Sequence, residues 1–335
     1  MNTRLPPRMP PMPQRDRGGR SKIENPDDGT PIRDMFTLDD GLLILTDKCT
    51  YRLQMADQID PKRENPALPQ NFQQKLFDHG VNSELLCRTL MQAKVLFRQE
   101  FQTIDIAKAK QLAFDALTNL IGMDEEAKAF AAAEKAAAEK PGGTRQDGRS
   151  MVVPAVGNVR NHAKSFIQKA DHFAHALLKV MRLFYPKAVN WTEFESLIKA
   201  TYGVDDNFSK LAAELAPILR LVRDARSAME HNPGNIVVKD FEPQADGKVW
   251  VPSLSVRHDK SKLERSSLSA FMTDCVNTLS ISFEMLTVHA CAKSTQPFAG
   301  MPMTIGVLSE EYQKAWHVRF AYGAIYADGQ FVPCG

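Results

Sequence analysis

The stretch 208-FSKLAAELAPILRLVRDARSAMEHNPGN-235 decides how the rest of the chain is read. Advancing about 100° per residue places Phe208, Leu211, Ala212, Leu215, Ile218, Leu219, Val222 and Met229 on one apolar stripe of a helix. Arg226 falls in the middle of that stripe, Arg223 on its edge, and Asp224 on the far side. Burying an unpaired charge is costly. Arg226 therefore calls for a buried carboxylate, a helix end where the stripe surfaces, or a bound anion. His231 follows five residues later, and Asn232-Pro233-Gly234 should stop the helix there. If the last turn unwinds, the imidazole can swing toward Arg226, so that a fixed cation and a titratable ring share one helix end.

Working outward, residues 161–185 form a second long amphipathic helix, with Ala163, Phe166, Ile167, Ala170, Phe173, Ala174, Leu177, Met181 and Phe184 at spacings of three and four. A short helix is expected near Trp191. After the NPG stop, IVVKDF and KVWVPSLSV flank Asp246-Gly247 and predict a β-hairpin over 236–257. Lys262 to Ala292 reads as a third long helix. It is apolar on two faces, since Leu263, Ile281, Met285 and Val288 lie opposite its main stripe. The C-terminal extension, 296–335, holds a second hairpin signal at Asp328-Gly329. Toward the N-terminus, 35–140 reads mostly helical. Asp47 is placed to cap a helix through YRLQMADQ, and periodicity resumes in 82–101 and 104–122. An alanine-rich run follows, which reads as an exposed helix or a spacer. Pro141-Gly142-Gly143 opens a flexible linker, 141–154, and 1–34 reads as a disordered tail rich in proline and basic residues. The expected fold class is mainly α: a helical N-terminal domain, the linker, and a helical bundle over 155–295 with an inserted hairpin.

Composition narrows the function. A net charge of +2 in 335 residues argues against a protein that coats nucleic acid non-specifically. No apolar run approaches the roughly 18–20 residues a membrane span requires, so no membrane partner is expected. The start, MNTRLPPRMPPMPQR, lacks the apolar stretch of a signal peptide. Cys49, Cys87, Cys275, Cys291 and Cys334 are widely spaced with no CxxC, as expected in a reducing, cytoplasmic setting.

The run RSAMEH, Arg226 to His231, followed by NPG and flanked by two long helices, resembles the Arg-x4–6-His motif of the HEPN superfamily. The resemblance covers about 155–295 and implies a bundle of four or five helices. It also implies that two motifs face one another across a homodimer, and a metal-independent endoribonuclease activity of bacterial defence or toxin type. By that resemblance His231 is the proton-transfer group and Arg226 the phosphate clamp, while Ser227 and Asn232 orient substrate or histidine. Ser227 departs from the Asn, Asp or His common after the arginine. The chemistry suits the residue types. A 2′-OH attacking its own phosphate needs proton transfer and stabilisation of a phosphorane, for which imidazole and guanidinium are matched. An RNA substrate and an antitoxin or other regulatory protein are the implied partners, with no cofactor and no metal. The alternative is a non-catalytic interaction module of the same fold, in which Arg226 pairs with a core carboxylate and His231 caps the helix end.

Other groups are weaker candidates. Asp171-His172-x-x-His175 has spacing compatible with metal binding, but both histidines lie opposite the apolar stripe, with no second ligand cluster. Cys275 falls within an apolar stripe and reads as a packing residue rather than a nucleophile, and His289 lies at a stripe edge. No glycine-rich phosphate loop or GxSxG elbow is present.

Overall fold

Gly41 to Thr46 does not lead into a helix. It is a buried strand, and the Thr46–Cys49 turn that follows returns the chain into a second one. In the turn, Thr46 N donates to Cys49 O at 3.0 Å and Cys49 N to Thr46 Oγ1 at 2.9 Å. The computed structural model describes residues 23, 26, 28–38, 41–139, 151–258, 261–326 and 329–334. The chain divides into two units, 1–83 and 84–335. The proposed tail falls mostly outside the described residues, as does most of the 141–154 linker.

The first unit is an antiparallel meander: β1 (Ile32–Leu38), β2 (Gly41–Thr46), β3 (Thr50–Met55) and β4 (Asn71–Phe77), hydrogen-bonded in that order, with a single helical turn, α1 (Ala56–Ile59), after β3. This corrects the helical reading of the N-terminal region. Tyr51 and Leu53 alternate with Arg52 and Gln54, a period of two, and the β-branched and aromatic residues suit a half-buried pleated surface. Asp47 caps no helix. Its carboxylate receives Arg33 Nε at 2.8 Å instead. Ile44, Cys49, Tyr51 and Leu53 form the core of this unit. Gly80 lets the chain after β4 run against the β2–β3 turn. A Cβ there would lie 2.3 Å from Thr46 O, the carbonyl that accepts from Val81 N at 2.9 Å.

The second unit opens with α2 (Glu84–Leu86), a π-helical turn (Cys87–Met91) and α3 (Gln92–Leu96). The long α4 (Ile106–Ala138) runs straight through Gly122 and the alanine-rich segment. That segment is packed, with Ala127, Phe130 and Ala137 buried and Glu126 receiving His162, Ser165 and Lys169. Next come α5 (Val159–Phe184), α6 (Trp191–Tyr202) and α7 (Asn207–His231). The boundaries of α5 and α7 agree with the periodicity within about two residues. One contiguous core unites α4, α5, α6, α7 and the later helix α8.

The rest of this unit is richer in strands than expected. β5 (Ile236–Lys239) pairs with β8 (Ser253–His258), which pairs with β9 (Ser261–Ser267), while β6 (Glu242–Pro243) and β7 (Val249–Trp250) make a small separate ladder around Gly247. The 236–257 hairpin is thus part of a three-stranded sheet. The third strand takes residues assigned above to a helix, because Lys262 and Glu264 alternate outward between Ser261, Leu263 and Arg265. Helix α8 (Leu268–Ser294) begins only after Ser267, whose hydroxyl accepts from Ala270 N. Helix α8 packs within the unit against α4, α5, α7, α3 and the π turn, and of its second apolar face Val288 is buried while Ile281 is exposed. The C-terminal segment adds β10 (Thr304–Val307), α9 (Glu310–Trp316), β11 (Phe320–Ile325) and β12 (Phe331–Pro333) as a three-stranded sheet. Among the described residues, 51% are helical and 22% are in strands, with four small antiparallel sheets, so the fold is mixed α and β, not mainly α. No helix among the described residues is long and apolar enough to cross a membrane.

Candidate functional site

Arg226 sits where α7 crosses α5. Its Nη1 donates to Asp171 Oδ2 at 2.7 Å, and Asp171 is only 1% exposed. The opposite edge of the guanidinium, at Nε, lies 3.5 Å from Glu230 Oε1, one turn along the same helix. The arginine side chain remains 33% exposed. The charge on the apolar stripe is therefore matched by a buried carboxylate, while Nε is buried without a hydrogen bond.

Asp171 has two partners. Its Oδ1 lies 3.3 Å from His175 Nδ1, which also contacts the Asp171 carbonyl at 3.0 Å. Burial pushes the Asp171 carboxyl upward, but the close approach of His175 and the hydrogen bond from Arg226 outweigh it and hold the group below the ordinary carboxylate value. The same contact with Asp171 raises His175 above the ordinary histidine value, against burial and the nearby Arg223 charge.

Helix α7 ends as Pro233 requires. Asn232 N closes on Ala228 O at 3.2 Å, and a 3-10 turn follows over Pro233–Asn235. The last turn does not unwind, however, and His231 is still helical. Its side chain is 72% exposed, with Nε2 3.9 Å from Glu230 Oε2. The link between arginine and histidine is thus the Glu230 carboxylate, one oxygen toward each. Ser227 and Asn232 flank the pair, and neither side chain makes a hydrogen bond among the described residues.

Sequence reasoning took Asp171 and His175 only as a weak metal candidate and missed Lys179 and Arg182 beyond them. Asp171, His175, Lys179 and Arg182 follow one another at spacings of four, four and three, a polar stripe along α5. Opposite it on α7 run Arg223, Arg226 and Glu230. Reading those spacings together would have shown two polar faces on otherwise apolar helices. Between them lies a cavity of about 180 Å³ whose lining includes Asp171, His175, Lys179, Arg182, Arg223 and Trp191. A shallower cleft of about 630 Å³, sharing Trp191 and Arg223, continues along α6 past Asn190, Thr192 and Arg220.

The remaining candidates behave as follows. His172 is exposed, and among the described residues no group of three or more His, Cys, Asp or Glu side chains could hold a metal. Cys275 is buried, and burial pushes its thiol up to about 12, so it stays protonated at neutral pH. His289 stacks on Phe208 at 5.4 Å, and burial lowers its pKa. None of the five cysteines forms a disulfide. No protein-family model matches the chain, and neither a curated protein nor a solved structure was found that resembles it.

Proposed function

We propose that the chain is an endoribonuclease acting in the cytoplasm through Arg226 and His231. The observation that supports this reading is the pairing of a guanidinium fixed by a buried carboxylate with a freely exposed imidazole, one glutamate reaching both. His231 takes the proton of a ribose 2′-OH as that oxygen bonds to the adjacent phosphorus. Arg226, a third of whose side chain is exposed, meets the charge that develops on the phosphorane oxygens. The 5′-oxygen leaves with a proton returned by the imidazolium, giving a 2′,3′-cyclic phosphate and a 5′-hydroxyl. Ser227 and Asn232, with side chains free of protein hydrogen bonds, are placed to orient the substrate. This sequence of steps uses no metal. A homodimer bringing two such helix ends together, and an antitoxin or other regulatory protein that restrains the activity, complete the proposal in a bacterial defence setting.

A second reading has its own support. The Asp171–Arg226 pair also suits a structural role, in a non-catalytic interaction module whose α7 end is simply capped by His231. Incubating wild type and His231→Ala with RNA in a chelator, followed by end-group analysis, separates the two. Cleavage by wild type alone, leaving cyclic phosphate ends, is the expected result. Equal cleavage by both proteins, or by neither, removes the ribonuclease reading.

A further inference from the structure

We infer that the cavity between α5, the first turn of α6 and α7 is a phosphate-binding cleft, which holds the backbone of an RNA strand beside the phosphate at Arg226. The inference rests on the ribonuclease reading for the identity of the strand, and on the following geometry for the site itself.

Three permanent cations, Lys179, Arg182 and Arg223, line a cavity whose single carboxylate, Asp171, is already engaged by Arg226. None of the three has an ion-pair partner among the described residues. Their neighbours are paired: Arg220 donates to Glu195 at 2.8 Å, and Arg226 to Asp171 at 2.7 Å. Like charges gathered in one concavity repel each other, and they raise the local potential for an anion that comes to lie between them. The geometry suits a phosphate oxyanion, since two guanidinium forks and an ammonium can share its oxygens. Asp171, which also lines the cavity, is the anchor of Arg226. A phosphate in the cleft and a phosphate at Arg226 are therefore served by the same pair of helices. This continuity favours a strand over an isolated small anion. The wider cleft past Asn190 and Trp191, lined by Arg220 and Arg223 as well as by Glu193 and Asp224, gives the chain a way out along α6.

The test is binding rather than cleavage, made on the full chain carrying His231→Ala so that turnover plays no part. A fluorescently labelled 12-nucleotide single-stranded RNA is titrated at several salt concentrations. Adding Arg182→Ala with Arg223→Ala should weaken binding at least tenfold. The same pair should reduce the slope of log affinity against log salt by about 0.7 for each phosphate that is no longer neutralised. Arg182→Lys with Arg223→Lys should recover most of the affinity, which separates a missing charge from a misfolded chain. Removing two unpaired charges elsewhere on α5, by Arg160→Ala with Lys164→Ala, should change affinity less than twofold. Failure of the RNA to bind, equal weakening by the cleft pair and the α5 control pair, or no weakening by the cleft pair would each overturn the inference. Adenosine monophosphate and inorganic phosphate form the second arm. If either binds at the cleft while the RNA does not, the strand assignment is overturned. RNA that binds through the cleft but is never cleaved by the protein with His231 intact would uphold the cleft and remove the ribonuclease reading. Cleavage and binding that both survive removal of Arg182 and Arg223 would do the opposite.

Discussion

Two carboxylates in the second unit are equally buried, at 1% exposure each, and both meet arginine, yet their surroundings differ. Glu284, on α8, is closed. Arg319 grips both of its oxygens, with Nε at 2.9 Å from Oε1 and Nη2 on Oε2. Arg88 approaches from the π turn at 3.8 Å and is itself held by Glu84 and Ser280. The bidentate grip ties the C-terminal sheet to the central helix. Asp171, on α5, is open. One oxygen takes Arg226 and the other faces a half-exposed histidine, and the group lines a cavity with three unpaired cations. The same donor and acceptor types make a fastening in one place and a candidate reaction site in the other. The difference lies around the carboxylate: arginine holds both oxygens of Glu284, whereas Asp171 has arginine on one oxygen only and lines a cavity.

The sharpest way to break this comparison is at His231. Replacing it with alanine should lower RNA cleavage by about 10²–10⁴-fold, the usual contribution of a general acid or base. Stability should stay within about 0.5 kcal/mol, because the side chain lies in solvent. A large fall in the denaturation midpoint would place His231 with the fastenings instead. The closed site should show the largest stability effect. Arg319→Ala leaves Glu284 buried with only the longer Arg88 contact, and urea denaturation should report a loss of about 3 kcal/mol. Arg226→Ala should cost less, about 2 kcal/mol, since His175 still faces Asp171. It should abolish cleavage as well, which Arg319→Ala, assayed at a temperature where it stays folded, should not.

Acidity offers a finer measure. The folded pKa of Asp171 is held below its unfolded value, so the stability it provides is present above about pH 4 and is lost as pH falls through the lower folded value. The two shifted histidines have opposite signs. The pKa of His175 is raised, so its contribution is full below about pH 6.5 and is lost as pH rises through the folded value. Burial lowers the pKa of His289, so its cost grows as pH falls below about 6.5. Thermal unfolding of His175→Gln across pH 5–9 should therefore lose stability relative to wild type on the acidic side and converge with it on the alkaline side. The smallest effect is expected at an exposed pair such as Arg257 and Glu264, 3.8 Å apart, where Arg257→Ala should change stability by less than about 0.5 kcal/mol.

The sequence was most legible where a segment carries its own periodicity and its own stop. The limits of α5 and α7, the end of α7 before Pro233 and the turn at Gly247 were all readable from local pattern, because amphipathic spacing, proline and glycine act within a few residues. The first unit was misread because short strands resemble buried helix fragments when only a few apolar residues are available. The exchange of Lys262–Ser267 from helix to strand has a related cause, since pairing with β8 overrides local propensity.

What the sequence by itself determined is the oddity of Arg226 on an apolar face, which follows from the angular period of one helix, and the helix end at His231, which follows from Pro233. What only the tertiary structure decided is the partnership. Asp171 lies 55 residues away in sequence, and no periodicity within one helix shows which face of another will meet it. The packing of α5 against α7 placed that carboxylate under Arg226, lined up Lys179 and Arg182 with Arg223, and left a cavity between them. Long-range packing of side chains, rather than local propensity, turned two polar stripes into one site.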